Sequence, residues 1–221
     1  MALRKKFGFL EKFDADILVI QEAEELPSNH FKNYHYQWFG KNANKGIGVL
    51  SKNLPYSIDQ SFNENLVYYI PYAFDQFNLL NVWTHTGAKK LGLNGNADTI
   101  FALNYYSEWL ASKNPSIIIG DFNNSVTFDH KPYWPSKFVD ITRYLENLNF
   151  TSVYHSFFKE EFGQETLSTH YHQKNLQNTH HIDYAFIRGF DLTNIEVGKY
   201  EEWIDISDHM PLIIDVTELI K

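Results

Sequence analysis

Three consecutive isoleucines that end in a glycine and two amide- or acid-bearing residues, Ser116-Ile117-Ile118-Ile119-Gly120-Asp121-Phe122-Asn123, constrain this chain more than any other stretch. An unbroken apolar run of this length after Pro115 reads as a buried strand, and Gly120 ends it by letting the backbone turn where a side chain would obstruct. Asp121 and Asn123, two apart in extended chain, are expected to project to one side and bring a carboxylate and a carboxamide to one spot. Gly-Asp-x-Asn is also turn-forming chemistry, because Asp and Asn bond their own backbone and tolerate left-handed geometry. On its own the stretch is therefore either one wall of a polar site or a loop after a buried strand.

Similar strand ends recur along the chain. Leu3, Phe7, Leu10 and Phe13 are spaced as the apolar face of a helix, and Ile17-Leu18-Val19-Ile20 follows as a buried strand that ends in Gln21-Glu22. Ile47, Val49 and Leu50 form a strand after Lys45-Gly46. Residues 66–74 and 77–83 read as an aromatic hairpin whose second arm runs into His85. Helical spacing spans 97–110 and 134–148, while 150–158 is ambiguous. Residues 166–171 and 181–187 are strand-like about a polar tip, 194–201 reads as a further strand, and Ser207-Asp208-His209 precedes the last apolar strand. Asp183 stands inside an apolar strand, where a carboxylate costs stability unless it has a partner. Strands outnumber helices without strict alternation, which predicts an α+β layered sandwich rather than a doubly wound sheet.

No linker, repeat or charge block divides the 221 residues, so a single domain over 1–221 is expected. Cysteine is absent, which removes disulfides, thiolate metal sites and cysteine nucleophiles together. The 27 acidic against 19 basic side chains give a formal charge of -8, which counts against a dedicated duplex-DNA binder and suits clustered carboxylates that hold a divalent cation. The basic start has no apolar signal core behind it, and no run is long enough to span a membrane, so a soluble, cytoplasmic protein without membrane partners is expected.

The ordered set Ile20-Gln21-Glu22, Gly120-Asp121-Phe122-Asn123, Ile182-Asp183-Tyr184 and Ser207-Asp208-His209-Met210-Pro211 resembles the endonuclease/exonuclease/phosphatase superfamily, which includes pancreatic deoxyribonuclease, abasic-site endonucleases, sphingomyelinases and inositol polyphosphate phosphatases. The resemblance implies a four-layered αββα sandwich and hydrolysis of a phosphate ester with Mg²⁺ or Mn²⁺. It makes Glu22 the principal metal ligand, assisted by Asp208. Asp121 would orient or deprotonate the attacking water, Asn123 would hold phosphate and water in line, and Asp183 would pair with His209, which faces the scissile phosphate. His85 matches a histidine of the deoxyribonuclease branch.

Two features depart from that pattern. Family members begin with an asparagine-bearing strand before the first helix, whereas this sequence starts with the helix; a strand and one site residue are therefore expected to lie outside it. The glutamate that partners the deoxyribonuclease histidine is replaced by Asn44-Lys45, which leaves His85 as a general acid, a simple phosphate contact or a core histidine. His170, His172, His180 and His181 form either a zinc site or, with Lys174 and Asn175, a substrate rim, and the rim is favoured because no cysteine or nearby acid completes a zinc set. Asp205 reads as an exposed turn acid rather than a ligand. The aromatic residues of 31–39 and 68–77 read as core rather than as base-stacking platforms.

The leading reading is a metal-dependent phosphodiesterase, with nucleic acid as a candidate substrate; the acidic balance and the lack of a basic, aromatic insertion loop count against abasic-site repair. The alternatives are a phosphatase of a small phosphorylated metabolite or lipid headgroup, and a non-catalytic phosphate-binding family member.

Overall fold

The computed structural model describes residues 3–66, 68–84, 97–112, 114–131 and 136–219. Alternation within the buried strands builds its layers. In β1 (Ile17–Ala23), Ile17 and Val19 face inward while Leu18 and Ile20 pack outward beneath helix α1 (Leu3–Leu10). β1 pairs with β3 (Lys45–Ser51), and β3 with β2 (His35–Asn42), all antiparallel. The second sheet has the order β4 (Tyr56–Ile58), β5 (Tyr69–Phe74), β6 (Asn78–Trp83), β7 (Ser116–Asp121), β11 (Asp183–Arg188), β8 (Thr151–Ser152). Its strands run antiparallel except for the parallel pair β6–β7.

Ile47 and Val49 of the first sheet meet Ile70, Tyr72, Leu79 and Trp83 of the second in one apolar layer. The far face of the second sheet, with Leu80, Val82, Ile118 and Phe186, packs on α2 (Ala97–Tyr105), α3 (Ser107–Leu110) and α4 (Phe138–Asn147). Burial of these aliphatic and aromatic side chains supplies the main driving force for the layering, roughly 1.5–3 kcal/mol for each large residue fully removed from water. The expected four-layered α+β sandwich is what the chain forms.

A hairpin of β12 (Phe190–Val197) and β13 (Leu212–Glu218) packs with α5 (Val153–Phe158) and α6 (Tyr200–Trp203) over Ile117, Ala185 and Ile187. Leu10 of α1 touches this cluster and the outer face of the first sheet, so the helix bridges both. Two short strands, β9 (His170–Tyr171) and β10 (Thr179–His180), complete the described elements. Among the described strands, β1 pairs only with β3 and β13 only with β12. No described helix is long and apolar enough to cross a membrane.

The aromatic residues of 31–39 are core, as expected, and several of them lie on β2, which the sequence does not mark as a strand. Two sequence expectations need correction. The strand expected over 194–201 starts at Phe190, ends at Val197 and gives way to α6. Of the strand-like run 166–171, only His170–Tyr171 pairs.

Gly120 does more than end a strand. It has φ +147°, and a Cβ there would lie 1.9 Å from the Val82 carbonyl oxygen on the paired strand β6. Gly120→Ala is expected to lower the free energy of unfolding by about 3 kcal/mol or more, read from urea denaturation. An unchanged midpoint would show that β7 can shift without loss.

Candidate active site

β7 and β11 are paired so that Asp121 and Asp183 sit directly opposite one another at the end of the second sheet. Asp121 is buried, and its two oxygens are engaged by the next polar residue: the Asn123 backbone N–H donates to Oδ1 at 2.7 Å and the Asn123 Nδ2 to Oδ2 at 2.7 Å. Nδ2 also donates to the Thr84 carbonyl at 2.7 Å, which ties the turn to the end of β6. Asn123 has φ 47°, in the left-handed region that Asn tolerates better than most residues. The two side chains therefore meet through a turn closed by hydrogen bonds, not through extended alternation. Turn and site wall are one structure.

Asp183 turns the other way, to His209, whose Nδ1 lies 2.9 Å from Asp183 Oδ2. Thr169, fully buried, aligns the two partners: its hydroxyl accepts the N–H groups of Ile182 and Asp183, and its carbonyl accepts the Met210 N–H. Nothing in the sequence singles Thr169 out. His170 packs on His209 with ring centroids 4.5 Å apart, and its own strand also holds the loop, through the Tyr171 N–H to the Asp208 carbonyl.

The electrostatics follow from this crowding. Burial, then the facing Asp183 carboxylate, raises the Asp121 carboxyl well above its ordinary value, with the His209 charge and the Asn123 N–H pulling the other way. For His209 burial opposes a charge, yet the field and hydrogen bond of Asp183, with Asp121 and Asp208 behind it, outweigh burial and push the imidazole up to about 10. His170 moves in the opposite direction: burial and the neighbouring His209 charge bring it down to about 4. A cationic imidazole thus lies against a neutral one.

Glu22 and Asp208 stand further out, Glu22 exposed and Asp208 about half so. Glu22 occupies a β-bulge: Gln21 pairs with Ile47 and Ala23 with Gly46, so Glu22 is left over, at φ 56°. Its carboxylate meets Lys45 Nζ at 2.8 Å. Both acids act on the charge of Lys6 in α1, whose ammonium is lowered chiefly by burial while Asp208 and Glu22 oppose the shift. Among the described residues, Asp121, Asp183 and His209 form a set of metal-type ligand atoms that lie within 4.8 Å of one another. The His172 and His180 rings flank His170 at 5.9 and 6.1 Å without forming such a set. Asp205 is exposed, as expected. His85 falls outside the described residues.

The chain's sequence matches the model of the Endonuclease/Exonuclease/phosphatase family over residues 8–209. The chain belongs to this family. Solved structures agree in fold: a 3'-5' exonuclease, NExo, from Neisseria meningitidis superposes with a TM-score of 0.70 at 14% identity, covering 97% of this chain and 95% of that one. A 3' phosphatase NExo variant from Neisseria, bound to product DNA hairpin, gives 0.67 at 15% identity, with 98% and 96% covered. An AP endonuclease from Archaeoglobus fulgidus gives 0.63 at 16% identity, with 99% and 96% covered. No curated protein matches the sequence. As a member of the family, the chain has a phosphoesterase scaffold; Asp121, Asp183, His209 and His170 cluster at one end of its second sheet and the adjoining loops, and Glu22 comes from the end of β1 in the first sheet.

Proposed function

We propose that the protein is a divalent-cation-dependent phosphodiesterase acting on nucleic acid, cleaving P–O bonds by in-line attack of water. The observation that carries this reading is the pairing of a buried, proton-avid Asp121 with a charged His209 across Asp183. Phosphoryl transfer needs an aligned nucleophile and cations around the transferred group more than covalent chemistry.

Asp121, held by Asn123, takes the proton of the attacking water; its raised pKa makes it a stronger base than an exposed carboxylate. Both amide hydrogens of Asn123 are committed to Asp121 and the Thr84 carbonyl, so its role is to fix the Asp121 carboxylate and to offer Oδ1 to the attacking water. His209, its Nδ1–H donating to Asp183, presents its other N–H to the oxyanion that develops. Glu22 and Asp208 are the residues that would hold Mg²⁺ or Mn²⁺, beside the inner acids, which leaves Asp121 free to take the proton. Their donor set fits: it is built mainly of carboxylate oxygens, as hard cations prefer, and like charges at Asp121 and Asp183 oppose each other until a cation balances them. Bound there, such a cation supplies Lewis-acid polarisation of the phosphoryl oxygens.

Nucleic acid as substrate is supported by the structural neighbours, which include an exonuclease and an AP endonuclease. A 3'-phosphate monoester end is the second reading, favoured by the neighbour described as a 3' phosphatase bound to product DNA hairpin. The test is hydrolysis of bis-p-nitrophenyl phosphate, plasmid DNA and a 3'-phosphorylated DNA hairpin with Mg²⁺, Mn²⁺ or EDTA. Diester turnover that EDTA abolishes and added cation restores is the expected result. Release of phosphate from the hairpin alone would favour the monoester reading, and turnover indifferent to EDTA would defeat the cation assignment.

A further inference from the structure

Lys45 holds a position for which the site described so far has no use. The register fixes it: Asn42 pairs with Lys45 across a two-residue turn, and the Glu25 N–H bonds the Ala43 carbonyl in that turn. Gly46 next to it is enclosed, since a Cβ there would lie 2.5 Å from the Trp38 indole, whose N–H donates to the Ala23 carbonyl. The backbone beneath the lysine thus has little room to move. The same bulge that leaves Glu22 unpaired aims its carboxylate at this turn, and the ammonium closes on it at 2.8 Å.

The lysine has a second attachment. Nζ lies 5.5 Å from the centroid of the Trp83 ring, and Tyr68 packs edge-on against that ring at 4.7 Å. Trp83 pairs with Asp121 across β6 and β7, so the ammonium rides over the strand next to the proposed base. A cation on a flexible stem, between an acid assigned to a metal and an aromatic face beside the base, has two places to be. The carboxylate of Glu22 is mostly exposed, so the pair is held weakly enough to exchange.

We propose that Lys45 is an exchangeable counter-ion of Glu22, which yields the carboxylate to a divalent cation and then binds the phosphoryl oxygens of the substrate from the Trp83 side. The proposal rests on the phosphoesterase reading above and deepens it. The same side chain weakens cation binding and strengthens substrate binding. Lysine suits such a role as a compact charge on four rotatable methylenes, where arginine would bind a carboxylate in a fixed fork.

Opposite signs make the test sharp. Calorimetric titration of Mn²⁺ into the cation-free protein, without substrate, is compared for wild type, Lys45→Met, Lys45→Arg and Glu22→Gln. Lys45→Met is expected to bind Mn²⁺ about three- to tenfold more tightly, because a competing charge near the ion is gone. At saturating Mn²⁺ the same variant is expected to raise KM for bis-p-nitrophenyl phosphate about tenfold, the loss of one charge-assisted contact, with a smaller change in kcat. Lys45→Arg keeps the charge but holds the Glu22 carboxylate in a fixed fork, so it is expected to bind Mn²⁺ more weakly than wild type. General damage to the fold would weaken both bindings together and would overturn the proposal, as would an unchanged Mn²⁺ affinity or an unchanged KM in Lys45→Met. Glu22→Gln separates the two levels: if it binds Mn²⁺ as tightly as wild type, Glu22 is no ligand and the site reading itself fails.

Discussion

Asp121→Asn is expected to make the protein more stable and nearly inactive at once. The carboxylate is buried and faces Asp183, so the charged form is disfavoured in the folded chain. Asparagine has nearly the same shape and can still accept the Asn123 N–H, but its own amide nitrogen meets Asn123 Nδ2, so one of the two 2.7 Å bonds is lost. Such a bond contributes about 1 kcal/mol net. Relief of a buried like charge is expected to exceed that by about 1 kcal/mol, which raises Tm by roughly 2–4 °C for a chain of this size. Activity falls about 10³-fold or more, because the amide cannot take a proton from water.

The pH dependence gives the sign. A carboxyl whose folded pKa is raised binds more protons in the native than in the unfolded chain between the two values, so stability falls as pH rises through that window. The stabilisation by asparagine is therefore absent below the ordinary Asp value near 4 and grows above it. Saturating Mn²⁺ should narrow the difference in Tm, since a cation beside an ionised Asp121 binds the folded wild type more tightly than the variant and stabilises it by mass action. Thermal melts of both proteins at pH 3.5 and 7.5, with and without Mn²⁺, check all three statements, and a variant less stable than wild type at pH 7.5 without cation would show that Asp121 is held well satisfied.

How much of this was legible in the sequence depends on whether residues act through type or through register. The aliphatic runs 17–20, 47–50 and 117–119 alternate or persist as buried strands must, and the acid-bearing ends of the first and the last identify where a site can form. β2 escapes because its apolar residues are aromatic and face both ways: Tyr36 and Trp38 pack outward, Phe39 inward, with Gln37 between. β12 is misplaced because a register shift between Leu192 and Asn194 breaks its alternation: Phe190 and Leu192 keep one phase, Ile195 and Val197 the other. Asp121, Asn123, Asp183 and His209 can be named from their types and positions, and the structure does bring them together. The bulge at Glu22, the lysine it meets and the threonine that aligns Asp183 with His209 depend on which residue of one strand lies opposite which residue of another. A single sequence does not carry that pairing.

Asp183→Asn is expected to slide the whole pH–activity profile toward acid. His209 reaches about 10 against the cost of its own burial, and Asp183 contributes most to that rise, by field and by hydrogen bond. Without the carboxylate the burial cost remains and the imidazole falls to about its unperturbed 6.5 or lower. At pH 8 only a few per cent of His209 is then charged, so an activity that needs the imidazolium drops roughly 30-fold or more, with the gap narrowing below about pH 6. Removal of Asp183 also takes away the like charge facing Asp121, whose carboxyl then ionises at lower pH, so the acid limb moves the same way. Stability follows the linked protons. A histidine raised in the folded chain stabilises it fully below about pH 6.5 and loses that contribution as pH rises toward 10, so the variant is most destabilised at acid to neutral pH and least near pH 10. Rate profiles from pH 5 to 10 and the His209 ring resonances through the same range read the two effects separately. An alkaline limb that stays in place while the resonances shift would remove the imidazolium from the reaction and leave Asp121 and Asn123 to carry it.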